Sequence, residues 1–363
     1  MMTGTSHTGL FRIDGKSFSM EDLKAHCHMM VHDCKNPDWY RKVFQFMERF
    51  LDPSSGPILQ RSSGTTGDPG EYELVREAME TSAVKTLSYF NLEPGDRVLL
   101  CLPVDYIAGK MMVVRALLGG LELVLTEPSS RPLRSVEGNF RFVPMVPLQV
   151  AESFKAGDDL SRMGKLLIGG GELPASLKTR LMEFSTPQVY ESFGMTETYT
   201  HFAIRRINGP NPDKSFRLLE GAVIQTDARG CLVVDLPGIT SGAVVTNDLV
   251  EIGIGGDRFT WLGRFDNVIK TGGIKVIPEI LEERIGSLLG TAVLLLPVAD
   301  DKLGEKMVLL VEGDMQKDAA QMLTSSLAPH EVPKLIIPVS EIPRNASFKP
   351  DRKAARILIK GTH

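Results

Sequence analysis

Between residues 98 and 191 short apolar runs alternate with stretches of helical pattern, and nothing else in this chain restricts its fold as strongly. The runs at 98–102, 121–126, 142–143, 165–168 and 188–191 read as strands. The stretches at 107–118, 148–154 and 175–184 between them read as helices. A strand that reaches its neighbour through a helix has crossed over and runs the same way, so this order implies a largely parallel sheet with helices on its faces. Upstream, 75–89 reads as a helix ending near Pro94-Gly95. Residues 1–56 read as a helical preface, with a helix start at Ser19-Met20-Glu21-Asp22 and a second helix over 38–50.

The pattern changes over 200–261. Runs at 222–224, 231–234, 244–245 and 259–261 are divided by Gly, Asp and Pro and read as antiparallel strands. It resets after Gly263, with helices expected at 278–289 and 317–328, strands at 292–296, 306–311 and 334–339, and a Lys- and Arg-rich end. The expected class is α/β. A large N-terminal domain, 1–263, holds mainly parallel sheets and helices plus a small β-subdomain, and a small α+β C-terminal domain, 264–363, follows.

Composition narrows the partners. With 363 residues, 42% hydrophobic and 24% charged, the chain can bury a core of two-domain size. A net charge of -4 offers no basic surface for nucleic acid or an anionic membrane, so an anionic substrate needs a local basic pocket. Cys27, Cys34, Cys101 and Cys231 show no disulfide spacing and suit a reducing, cytoplasmic setting. The N-terminus lacks a signal-peptide pattern, and no apolar run approaches the ~18–20 residues of a membrane span. Oligomeric state, monomer or homodimer, stays open.

A short strand at Pro57-Ile58-Leu59 leads into Ser62-Ser63-Gly64-Thr65-Thr66-Gly67. The glycines allow a tight turn that exposes backbone N–H groups, and the neighbouring hydroxyls complete a concave nest for phosphate oxygens. No Gly-Lys-Ser/Thr follows, so the segment is either a plain surface turn or a phosphate loop that works without the Walker lysine.

Four more segments follow in order: Phe193-Gly194-Met195-Thr196-Glu197, Thr246-Asn247-Asp248-Leu249, Gly263-Arg264-Phe265-Asp266 running on to Lys270-Thr271-Gly272-Gly273, and Ile342 to Lys353 around Lys349. Together with the loop, and over most of the chain, they closely resemble the adenylate-forming superfamily of acyl-CoA synthetases, luciferases and peptide-synthetase adenylation domains. Gly169-Gly170-Gly171-Glu172 also resembles that family's loop beside adenine.

The resemblance implies ATP, Mg²⁺ and coenzyme A as cofactors. It implies that Ser62, Ser63, Gly64, Thr65, Thr66 and Gly67 hold the β- and γ-phosphates, and that Glu197, with Thr66, holds Mg²⁺. Thr196 would lie near the α-phosphate, Gly170 and Gly194 beside the nucleotide, and Asp248 on the ribose hydroxyls. Arg264 would reach ribose or phosphate, and Lys349 would bridge the carboxylate and α-phosphate. Two anions must meet in that step, so cations and N–H donors must offset their repulsion. Asp266 would be the hinge about which a mobile C-terminal domain rotates, withdrawing Lys349 and bringing in Gly272 and Gly273 beside the pantetheine arm.

The chain also departs from the family pattern. Asp68-Pro69-Gly70-Glu71 stands where Lys-Pro-Lys is usual, Phe348 precedes Lys349 where Gly is usual, and Ile280 takes one of two usual acidic positions. The chain is shorter than typical members, at its N-terminal side.

Residues 102–117 and Val146-Pro147-Leu148-Gln149 look most like one branch, the short o-succinylbenzoate–CoA ligases of menaquinone synthesis. That substrate is an aromatic dicarboxylate, whose second carboxylate needs a cation or several donors if buried. Lys110 and Arg115 are candidates, though five residues apart they do not share one helix face closely, and either could be a solvated or salt-bridged position. Tyr106, Ser192, Thr200 and His201 are candidate pocket walls. The His- and Cys-rich stretch 26–34 carries zinc-ligand residue types but no second paired motif, and an exposed helix face is the plainer reading.

Overall fold

The computed structural model describes residues 10–61, 71–315, 318–344 and 350–360. The predicted alternation forms the middle of one sheet. In spatial order Phe11–Ile13, Glu122–Leu125, Arg97–Leu100, Phe140–Met145, Met163–Ile168 and Gln188–Gly194 run parallel. The central strands are buried on both faces: Val98 and Leu100 enter one core, Leu99 and Cys101 the other.

Helices in chain order are α1 (Met20–His32), α2 (Asp38–Leu51), α3 (Arg76–Phe90), α4 (Ile107–Gly119), α5 (Pro147–Lys155), α6 (Ala175–Met182), α7 (Pro278–Leu289), α8 (Ala319–Ser326) and α9 (Arg352–Lys360). Buried residues of α1 to α4 join one core and those of α5 and α6 the other, on opposite sides of the sheet. Ser19 caps α1 by accepting from Asp22 N–H at 3.1 Å.

The antiparallel strands are hydrogen-bonded onto the parallel ones. Beyond Gln188–Gly194 the sheet continues through His201–Arg206, Phe216–Leu218, Arg258–Arg264, Val244–Ile252, Cys231–Asp235 and Val223–Thr226, and with Lys16–Phe18 at the far edge it counts thirteen strands. A second sheet joins Ile269–Thr271, Ile274–Val276, Val293–Asp300, Gly304–Glu312 and Leu335–Val339. Here α7 and α8 cover one face and α9 the other.

One expectation needs correcting and two need extending. The first 56 residues are not purely helical: Phe11–Ile13 and Lys16–Phe18 form a hairpin on the large sheet. Asp14-Gly15 makes its turn with φ of 48° and 76°, the mirror-image turn that matches strand twist. The basic end is a helix, α9, because Ala355 and Ile359 place an apolar stripe against the small sheet. The run 142–143 is part of a longer strand, Phe140–Met145.

Candidate active site

Ser62, Ser63, Gly64, Thr65, Thr66, Gly67 and Lys349 lie outside the described residues. The hairpin on either side of the expected phosphate loop is described: Ile58–Arg61 pairs antiparallel with Glu71–Leu74, Ile58 opposite Leu74. Both of its strands are tied to neighbouring elements. Buried Gln60 donates from Nε2 to the Asp105 carbonyl at 3.0 Å and accepts from Lys110 Nζ at 2.7 Å. On the return strand Tyr72 Oη donates to Glu197 Oε1 at 3.1 Å, and Val75 N–H donates to Tyr199 Oη at 3.0 Å.

Thr196 and Glu197 sit on one short 3-10 turn, Thr196–Thr198. Thr198 Oγ1 closes it, accepting from Met195 N–H at 3.0 Å and donating to the Thr200 carbonyl at 2.7 Å. Gly194 is required by that crossing, since a Cβ there would meet the Thr200 oxygen at 2.2 Å. Tyr199 follows with φ 62° and ψ -39°, a left-handed conformation costing roughly 1–3 kcal/mol for a bulky residue. Ser192 Oγ is bonded to the Ile168 carbonyl at 3.1 Å and packs under Gly169, next to Gly170 at φ +78°.

On the antiparallel side Asp248 is buried opposite Arg264. Its Oδ1 accepts from Trp261 Nε1 at 3.0 Å, and its Oδ2 lies 3.6 Å from Arg264 Nη1. Arg264 Nη2 donates to Asp266 Oδ2 at 3.2 Å, and Asn247 Nδ2 donates to the same carboxylate at 3.1 Å. The expected hinge residue is thus tied to the last strand of the large sheet, while Gly272 and Gly273 form the turn between Ile269–Thr271 and Ile274–Val276.

Lys110 and Arg115 both point inward, and as their spacing implies they meet different partners. Every residue from Gly109 to Leu117 of α4 is buried, so the helix has no solvent face there to receive either. Arg115 Nη2 donates to Thr200 Oγ1 at 3.2 Å, and its Nε has no partner. Thr200 Oγ1 also bonds Ser82 Oγ at 3.1 Å, and His201 Nε2 bonds Thr86 Oγ1 at 3.1 Å. Among the described residues no carboxylate pairs with Arg115, and burial alone pulls its guanidinium down to about 9. Burial, then the positive Arg115, holds His201 well below the ordinary imidazole range, so it is neutral. Burial also lowers Lys110 to about 8, against support from Asp105. Tyr106, 55% exposed, precedes α4 and lies outside this network.

Between the sheets lies a seam of carboxylates that the motifs did not signal. Arg352 grips Glu282 with two hydrogen bonds of 2.9 Å and donates to the Leu295 carbonyl at 2.7 Å. Buried Glu279 accepts from Asn267 Nδ2 and presses its unpartnered Oε2 against Gly263, where a Cβ would approach to 2.4 Å. Glu172, on the loop after Gly171, faces this group. Its side chain is solvent-accessible at the mouth of the crevice, and the crowding there, then Glu282 and Glu279, raises its carboxyl above the ordinary range. Ser82 and Thr86, four apart on α3, could have been read as one polar spot on a buried face. Tyr72, Tyr199, Trp261 and Arg352 had no such local signal.

Fold and site together define an adenylate-forming enzyme. Residues 19–233 match the AMP-binding enzyme family, and the chain belongs to it. The solved acyl-CoA synthetase (AMP-forming)/AMP-acid ligase II-like protein from Dyadobacter fermentans is 33% identical, with a TM-score of 0.62 over 93% of this chain and 98% of that one. The o-succinylbenzoate CoA synthetase of Bacillus subtilis, solved with the acyl-adenylate intermediate OSB-AMP, shares the fold at 17% identity, with a TM-score of 0.74 over 95% of this chain and 94% of that one. A 2-succinylbenzoate–CoA ligase of Bacillus cereus is 25% identical over 94% of this chain and 80% of its own length.

Proposed function

We propose that the chain is an ATP-dependent, AMP-forming o-succinylbenzoate–CoA ligase. One observation carries the substrate reading: Arg115 is 2% exposed, has no acidic partner among the described residues and keeps an unpartnered Nε. A buried cation without a counter-charge is costly, and a second carboxylate on the substrate would supply one. Arg115 suits this better than Lys110, whose ammonium already donates to Gln60 and the Asp105 carbonyl. Thr200 and Ser82 would complete the polar end of the pocket, with Ser192 on its wall and Tyr106 at its rim. The relatives named as 2-succinylbenzoate–CoA ligases support the same acid.

In the first step the acid's reacting carboxylate attacks the α-phosphorus of ATP and pyrophosphate leaves. Lys349, Arg264 and the loop of Ser62 to Gly67 offset the repulsion of the two anions. Asp248 keeps acceptor capacity on Oδ2 for ribose hydroxyls, and Gly170 borders the base. Glu197 fits a magnesium ion carried on the nucleotide: its carboxylate is partly open and bonded to a neutral phenol rather than a cation, and Thr66 would join it. When bound, Mg²⁺ supplies charge neutralisation on the phosphates. In the second step a lobe comprising 264–363 turns about Asp266 against one comprising 1–263, and Gly272 and Gly273 admit the thiol of coenzyme A. The free thiols of Cys27, Cys34, Cys101 and Cys231 fit a reducing cytoplasm.

The purified chain with Mg-ATP, coenzyme A and a panel of acids tests this reading. Pyrophosphate and thioester should form fastest with o-succinylbenzoate and poorly with benzoate. Turnover of another acid with none of o-succinylbenzoate would replace the substrate and keep the ligase. A second reading, a weakened nucleotide-binding homologue, is favoured by Asp68 and Gly70 in the loop and by Phe348 before Lys349. It requires ATP binding with no pyrophosphate for any acid.

A further inference from the structure

The short turn Thr196–Thr198 offers Glu197 little to lean on, because its own hydrogen bonds are made by Thr198 and the backbone. The side-chain partner of Glu197 among the described residues comes from far away in sequence: Tyr72 Oη, 3.1 Å from Oε1. Tyr72 stands on the return strand of the hairpin on either side of the expected phosphate loop. The same strand runs into Val75, whose N–H is held by Tyr199, the residue in a left-handed conformation just past Glu197. Two hydrogen bonds therefore bind one loop foot to one acidic turn.

The chemistry of the donor matters. A phenol takes one lone pair of Oε1 and brings no positive charge, so it orients the carboxylate without cancelling it. Among the described residues Oε2 has no hydrogen-bond partner, which leaves it for a cation. A lysine in that place would neutralise the group instead. Carboxylates that hold metals are commonly oriented by such an outer hydrogen bond, and losing it typically weakens metal binding about 10- to 100-fold.

We propose that Tyr72 is a positioning residue for the metal carboxylate, setting Glu197 toward a divalent cation carried on nucleotide phosphates and coupling that setting to the phosphate loop. This rests on Glu197 being the magnesium residue of the reading above. The test uses Mn²⁺, visible by electron paramagnetic resonance, with α,β-methylene-ATP as an unreactive nucleotide. Wild type, Tyr72→Phe and Glu197→Gln are compared for Mn²⁺ affinity in the presence of the nucleotide, and for nucleotide affinity in EDTA.

Tyr72→Phe should weaken Mn²⁺ about tenfold or more, leave metal-free nucleotide affinity within twofold, and raise the KM for Mg-ATP but not for the acid. Tyr72 is partly exposed, so the thermal midpoint should hold. If Glu197→Gln loses Mn²⁺ affinity and Tyr72→Phe does not, the proposal is overturned while the ligase reading stands. Equal losses with and without metal would also overturn it, since Tyr72 would then serve the nucleotide alone. An unaffected Glu197→Gln would remove the metal role of Glu197 and this proposal with it.

Discussion

Asp248 and Arg264 face each other across adjacent antiparallel strands, and Arg264 bridges from Asp248, at 3.6 Å, to Asp266, at 3.2 Å. One guanidinium thus touches both the carboxylate proposed for ribose and the residue proposed as hinge. A lysine carries the same charge but is a point donor that cannot fork between two acids. Arg264→Lys should lower kcat/KM for ATP about tenfold, or ~1.4 kcal/mol, with the acid KM nearly unchanged. Steady-state kinetics with each substrate varied in turn checks this.

Arg115 separates binding from stability. Arg115→Met removes the only charge proposed for the distal carboxylate and leaves an apolar side chain of similar length. The KM for o-succinylbenzoate should rise at least tenfold, and that for ATP should not. The thermal midpoint should hold or rise, because a buried charge without a carboxylate partner is replaced by packing. A falling midpoint with an unchanged acid KM would show Arg115 to be structural.

The parallel core was legible in the sequence because strands buried on both faces spell continuous apolar runs, as Val98 to Leu100 do. Asp14-Gly15 marked a hairpin in plain view, but flanking strands of three residues were too short to register as a pattern. That Lys110 and Arg115 both point inward was not legible, for a geometric reason. Five residues turn a helix by about 140°, which separates two faces only if one faces water, and α4 is buried around both positions. Glu197, Asp248 and Arg264 could be nominated from the sequence because each sits in a local motif. Tyr72 and Arg352 were not, because their partners lie 125 and 70 residues away and such pairings leave no local trace.

Lys110 predicts a rise of stability with alkali. Burial lowers its ammonium to about 8 from an ordinary 10.5. Between those values the unfolded chain holds the proton more often than the folded one, so stability increases from pH 8 to about 10.5. The gain is on the order of 3 kcal/mol at most. Other groups titrate there too, so the measurement is the difference in urea unfolding free energy between wild type and Lys110→Met. That difference should shift in favour of wild type as pH rises, and a flat difference would contradict the burial argument.

Lys349 should separate the two half-reactions. Lys349→Ala removes the bridging cation, so pyrophosphate formation should fall at least about 100-fold, within the range for loss of a transition-state charge donor. Thioester formation from supplied acyl-adenylate should largely survive. Equal loss of both would argue against rotation of the small lobe between steps.

Glu172 predicts that the seam between the lobes is acid-favoured. Its side chain is solvent-accessible, and its carboxyl is raised to about 7 from 4.5, first by the crowding of the crevice and then by Glu282 and Glu279 across the seam. A raised acid binds its proton more readily when the seam is closed, so closure is unpenalised below about 4.5, weakens as pH climbs, and carries the full penalty above about 7. Arg352, which faces the same group, softens the repulsion without removing it, because Glu282 already holds its guanidinium in a two-pronged bond. Glu172→Gln should abolish this dependence and leave the seam as closed at pH 8 as the wild type is at pH 4. Small-angle scattering across that interval reads the lobe arrangement directly. Parallel pH responses in the variant and wild type would show that the carboxylates of the small lobe, rather than Glu172, set the balance.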